Sequence, residues 1–130
     1  MNDPLIVESD KIKGQAGQIL RDSDLEIILA SYGVVKLTGS YPLNVMLRPD
    51  LDLYATVEKH DREKFKAVVD GLFAKNYFHE ICYTNWSERI EGICGHYFQL
   101  KIEIGGIRWK LDVWLMTEDQ YQPYTRLVAK

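Results

Sequence analysis

Cysteine is scarce in this sequence, at two residues in 130, Cys82 and Cys94. Two thiols cannot build a disulfide scaffold, and a reducing cytoplasm is the expected compartment. No apolar run approaches the roughly 18 residues of a membrane span, so no membrane partner is expected. The opening MNDPLIVESD has no basic segment followed by an apolar one, and no signal peptide is expected. A surplus of positive charge is missing too. Sixteen Lys and Arg meet nineteen Asp and Glu, for a formal net charge of −3. That argues against a general electrostatic grip on a nucleic-acid backbone, while leaving room for a local basic pocket. No repeat, linker or low-complexity tract divides the chain. What remains is 46% hydrophobic and 27% charged, an ordinary composition for one domain over residues 1–130. The tail after Thr117 ends without a clear stop, which leaves room for a continuation past Lys130.

Residues 10–21 have helical spacing, with Ile12, Ala16, Ile19 and Leu20 on one side and Gly14 and Gly17 weakening it. Ser23 with Glu26 three residues later has the pattern of a capping box. Leu25, Ile28, Leu29 and Tyr32 follow on one helical face, and Gly33 stands in the terminator position. Residues 34–37 suit a short buried strand. Pro42 suits the first turn of a short helix carrying Leu43, Met46 and Leu47, which Pro49 ends. Residues 50–57 alternate as a strand. Asp61 opens an amphipathic helix with Phe65, Val68, Val69, Leu72 and Phe73 on its apolar face. Residues 77–84 suit another strand and 85–92 a loop. From 97 to 115 comes a hairpin, YFQLKIEI and IRWKLDVWL around Gly105-Gly106.

The chemistry-bearing residues stand out against this frame. Side chains alternate along a strand, so Asp50 and Asp52 share one face and Leu51 and Leu53 the other. Aspartate is depleted in strands, and a pair of them on one face reads either as a solvated edge or as a cation site. Upstream, the strand VVKL leads into Thr38-Gly39-Ser40. Glycine lets a ligand approach the backbone closely, and the N–H groups of a helix start attract phosphate. A third acid, Asp112, lies inside the apolar strand KLDVW.

The hairpin fixes further pairs. A two-residue turn at Gly105-Gly106 sets Ile104 opposite Ile107, Glu103 opposite Arg108, Ile102 opposite Trp109, Lys101 opposite Lys110, Leu100 opposite Leu111 and Gln99 opposite Asp112. One face, from Phe98 to Val113, is apolar and belongs to the core. The other carries Gln99, Lys101, Lys110 and Asp112. Facing lysines repel, and either a bound anion or splaying into water, helped by Glu103, would relieve them. Arg48, just before Pro49, is a further candidate for phosphate or a solvated surface residue.

His79, Cys82, Cys94 and His96 lack the spacing of a structural zinc site. His60, beside the Asp61 helix start, suits a capping or surface role. Among the tryptophans, Trp109 falls on the core face and Trp114 on the Asp112 face, where it could stack on a base.

Taken together, TGSYPLNVMLRPDLDLYA and KLDVW resemble the nucleotidyltransferase superfamily over residues 34–115. The resemblance implies an α+β nucleotidyltransferase fold, a mixed β-sheet with helices packed on one face. It implies that Asp50 and Asp52 hold two Mg2+ ions, that Asp112 shares one and takes the acceptor proton, and that Gly39 and Ser40 bind the terminal phosphates. Lys101 and Lys110 would then meet a nucleotide triphosphate. The implied activity is transfer of a nucleoside monophosphate, from ATP, to a hydroxyl of a small molecule or a protein. The sequence is similar in this to antibiotic-modifying enzymes and to the minimal nucleotidyltransferases of toxin–antitoxin pairs. No acceptor-binding domain is seen after the third acid, so a further segment of the protein, a partner protein or a second copy in a homo-oligomer would supply one. The alternative is a non-catalytic nucleotide-sensing or protein-interaction module that retains the fold.

Overall fold

In the computed structural model, which describes residues 4–38, 48–87 and 94–121, three helices and five strands follow one another along the chain. They are α1 (Pro4–Asp22), α2 (Leu25–Ala30), β1 (Val34–Thr38), β2 (Asp50–Val57), α3 (Arg62–Lys75), β3 (Glu80–Asn85), β4 (His96–Ile104) and β5 (Ile107–Thr117). The fold is α+β. The strands form one mixed sheet in the order β1-β2-β5-β4-β3. Only β2 and β5 run parallel, and every other neighbouring pair is antiparallel. No helix among the described residues is long and apolar enough to cross a membrane.

The hairpin alternation decides which side of the sheet is covered. Leu100, Ile102, Trp109, Leu111, Val113 and Leu115 are buried on one face, together with Leu51, Leu53 and Ala55 from β2. Against them pack Ile12, Ala16 and Ile19 of α1, Leu25 and Leu29 of α2, and Val68 and Leu72 of α3. The described helices therefore cover one face, as the alternation required. The Trp109 ring is fully buried, and its indole N–H donates to Gln15 Oε1 at 2.9 Å, tying α1 to the hairpin. A buried indole without such a partner would forfeit the cost of stripping its N–H of water.

Several elements differ in detail from the sequence expectation. α1 begins at Pro4, not near residue 10. β3 begins at Glu80, because Phe78 is used as a core residue ahead of the strand. Phe73, expected on the apolar face of α3, is 63% exposed, since that face needs only Val68 and Leu72 with Phe65 and Val69 beside them. The Ser23 hydroxyl does accept from the start of α2, but from Leu25 N at 3.2 Å, and Asp24 takes the N-cap position in a left-handed conformation. No box with Glu26 forms. Asp61 caps α3 as expected, accepting from Lys64 N at 3.1 Å. The short helix expected after Pro42, with Leu43, Met46 and Leu47, lies outside the described residues, as does most of the 85–92 loop.

α2 ends at Ala30 with Ser31 as its C-cap, so the expected terminator position does not fall on Gly33. The Gly33 φ is not positive, so no left-handed conformation demands glycine there. A Cβ at Gly33 would instead sit 2.0 Å from the carbonyl oxygen of Thr56, on backbone that cannot turn aside. Gly33→Ala must push β1 away from β2, and overpacking of this kind costs about 1–3 kcal/mol or more. Chemical denaturation should show that loss, and an unchanged midpoint would refute the close approach.

Candidate functional site

On β2, Asp50 and Asp52 project to the face away from the helices, both half-buried, while Leu51 and Leu53 are buried beneath. β5 lies next to β2 in parallel, and the register sets Asp52 against Asp112 and Asp50 against Lys110. Neighbouring strands lie about 4.8 Å apart, so the Asp52 and Asp112 side chains rise side by side on one surface. The Lys110 amide donates to Pro49 O at 3.0 Å, which anchors the start of this pairing.

β4 completes the third side. Gln99 pairs with Asp112, and Tyr97 pairs with Trp114 one step further on the same face. The Tyr97 hydroxyl donates to Asp112 Oδ1. Gln99 Nε2 in turn donates to the Tyr97 hydroxyl at 3.3 Å. The Lys110 ammonium lies 3.6 Å from Asp112 Oδ2. Asp112 is thus held from both oxygens.

Burial pushes the Asp52 carboxyl up to about 6, and Asp112 and then Asp50 add to the effect against the opposing pull of Lys110. Burial and the bond to Asp112 likewise hold the Tyr97 phenol well above its ordinary value. The carboxylates repel one another across the strands, and a cation would relieve that repulsion.

Asp50, Asp52, Asp112 and Lys110 come together on adjacent strands. Lys101 faces Lys110 as the hairpin predicted, but its nearest acid is Glu80 at 4.0 Å, while Glu103 lies 3.8 Å from Arg108. The lysine repulsion is therefore shared out among flanking carboxylates. A groove of about 550 Å3 runs over this stretch, lined by Lys101, Lys110, Arg108, Glu80, Glu103 and His79 among others. Arg48 is exposed two residues before Asp50. Gly39 and Ser40 lie outside the described residues, although Thr38, just before them, pairs with Asp52. Trp114 stands on the Asp112 face but is 7% exposed, buried with Tyr54 and Met116 and flanked by Tyr97 and Tyr121.

No protein-family model matches this chain, and no curated protein does. Among the described residues, no three His, Cys, Asp or Glu side chains are gathered into a ready metal cluster. The donor set nevertheless suits magnesium, because three aspartates offer hard oxygens from two neighbouring strands. For Asp112 to serve as a ligand, Lys110 must let go of Oδ2.

Two groups escaped the sequence. Tyr97 was legible in principle, because extending the hairpin register by one same-face step beyond Gln99 reaches it. The second group, around His60, left no local signal. Gln120 accepts from Thr117 N at 3.0 Å and donates through Nε2 to Ser87 O at 3.1 Å, which fixes its amide. Its Oε1 therefore faces His60 Nε2 at 3.1 Å as an acceptor, and His60 carries its proton on Nε2. The Tyr32 hydroxyl then donates to His60 Nδ1. Burial, with smaller help from Asp61 and Tyr83, pushes that phenol up to about 12. His96 lies edge-on to His60, ring centroids 4.9 Å apart, and is lowered by burial and by His60. The expected capping role belongs to Asp61 alone, and His60 joins the ends of α2, β2 and β5.

The Asp52 shift has a sign that can be measured. An acid raised in the folded state contributes stability below its ordinary value of 3.8, and loses that contribution as pH rises through about 6. Asp52→Asn should therefore stabilise the protein at pH 8, by about 1 kcal/mol once solvent screening of a partly exposed group is allowed for. The gain should vanish near pH 4. Equal wild-type and mutant melting temperatures at both pH values would mean that the carboxylates do not strain one another.

Proposed function

We propose that this chain is a magnesium-dependent nucleotidyltransferase, moving a nucleoside monophosphate from a nucleotide triphosphate to a hydroxyl. One observation carries the proposal. Asp52 and Asp112 stand in register on parallel neighbours, with Asp50 beside them, on the sheet face away from the described helices. Three acids on adjacent strands, one of them raised first by burial and then by the other two, are costly to keep without a cation to hold.

In this reading Asp50 and Asp52 would hold two magnesium ions and Asp112 would share one. Magnesium would supply charge neutralisation for the triphosphate and for the attacking oxygen. Lys110 and Lys101 border the groove where phosphates would lie, and Lys110 is placed to exchange Asp112 for a phosphate oxygen. Asp112 accepts the proton of the hydroxyl that attacks. Gly39 and Ser40 would hold the terminal phosphates, with Arg48 available from the segment before Asp50.

A second reading, a nucleotide-sensing module without transfer, draws support from the engagement of Asp112 by both Tyr97 and Lys110. Asp112→Asn separates the two. A nucleotide at about a hundred times its dissociation constant adds roughly 2.7 kcal/mol of stability, and the mutant should keep much of this. Loss of a general base costs about 10²–10⁴ in rate, so transfer should collapse. Wild-type protein that binds nucleotide yet transfers to no acceptor would favour the sensor. Asp50 and Asp52 replaced together by asparagine should abolish magnesium-dependent nucleotide binding in calorimetry, and unchanged binding would sink the metal site.

The lysines make a separate forecast. Lys110→Met and Lys101→Met should each weaken triphosphate binding more than binding of the matching nucleoside. Equal losses for both ligands would mean that neither lysine meets phosphate.

A further inference from the structure

We infer that Tyr97 is itself an acceptor, so that the chain transfers a nucleoside monophosphate onto its own Tyr97 oxygen. The inference rests on the nucleotidyltransferase reading and names an acceptor for it.

An acceptor hydroxyl has to meet the carboxylate that takes its proton. One hydroxyl of this chain already does. The Tyr97 O–H donates to Asp112 Oδ1, and Gln99 Nε2 donates to the same phenol oxygen at 3.3 Å. The ring rests on Trp114, centroids 4.7 Å apart, which restricts its swing. Tyr97 comes from β4 and Asp112 from β5, so the pair is set by sheet register and not by a loop. Holding two reacting groups in contact removes most of the entropic cost of bringing in a separate acceptor. The Tyr97 side chain is only partly buried on the same sheet face as Asp112.

In the step, a lone pair of the Tyr97 oxygen forms a bond to the α-phosphorus. The bond from that phosphorus to the oxygen bridging the β-phosphate breaks, and pyrophosphate leaves with its electron pair. The phenol proton passes to Asp112. The tyrosyl ester then fills the acceptor position, and the chain stops after one turnover.

The test is incubation of the full chain with magnesium and ATP labelled at the α-phosphate, read by intact mass and peptide mapping. Up to one nucleoside monophosphate per chain is expected, on Tyr97, with one equivalent of pyrophosphate and a rate independent of protein dilution. Tyr97→Phe should take no label at that position yet still bind magnesium and nucleotide in calorimetry, which reports that its site is intact. Transfer to an added acceptor with Tyr97 unlabelled overturns this inference and leaves the nucleotidyltransferase reading standing. Label only on other residues, or a rate that rises with protein concentration, also overturns it. Nucleotide binding without any transfer overturns it in favour of the sensor, and absence of magnesium-dependent binding overturns both readings.

Discussion

The parallel pairing of β2 with β5 is the constraint on which the rest depends. Between those strands the chain must travel through α3, β3 and β4 before returning, because a parallel neighbour needs a crossover. That route inserts β5 between β2 and β4 and makes it the centre of the sheet. Once β5 is central, its inward residues Trp109, Leu111 and Val113 must be apolar, and its outward residues Lys110, Asp112 and Trp114 are carried to the opposite face. The register then decides that Asp112 meets Asp52 and not a leucine. A slip of one residue would place Asp112 in the core and Leu111 on the open face, at the cost of both a buried charge and an exposed apolar side chain.

The open face divides into two parts of different chemistry. Towards the hairpin turn it is charged, and Lys101, Lys110 and Arg108 are each matched by an acid within 4.0 Å. The Lys101–Glu80 and Arg108–Glu103 pairs are solvent-exposed and individually weak, while Asp112 is the more buried partner of Lys110. Towards the other end it is aromatic, with Tyr54, Trp114 and Met116 buried and Lys36 set over the Tyr121 ring at 4.2 Å. The carboxylates stand at the boundary.

Tyr97 belongs to both parts. Its ring continues the aromatic stretch and its hydroxyl reaches the carboxylates. This makes Asp112 different from Asp50 and Asp52, since both of its oxygens have partners. The histidine cluster at the far end of β2 and β5 works by another logic. His60 has both ring nitrogens satisfied by groups from distant parts of the chain, and it fixes Tyr32 and Gln120 to the sheet. It is a joint between elements, and the acids are on the other face.

Much of this was legible from local pattern. Alternation placed the two aspartates of β2 on one face, and the Gly-Gly turn fixed every cross-strand pair of the hairpin, from Ile104 with Ile107 to Gln99 with Asp112. Period-two and helical spacing are short-range properties, so a sequence states them directly. The polar side-chain contacts were not legible in the same way. Lys101 with Glu80, Lys110 with Asp112 and Tyr97 with Asp112 depend on which rotamers the neighbouring strands leave open. The Tyr32–His60–Gln120 chain joins residues 28 and 60 positions apart, and no local spacing reports such a meeting. Gly33 shows the same division at one residue. The sequence marked it as the end of a helix, and only the approach of Thr56 on β2 explained why nothing larger fits. Covalent order along the chain determines which residues share a face, while packing between distant elements decides which of them touch.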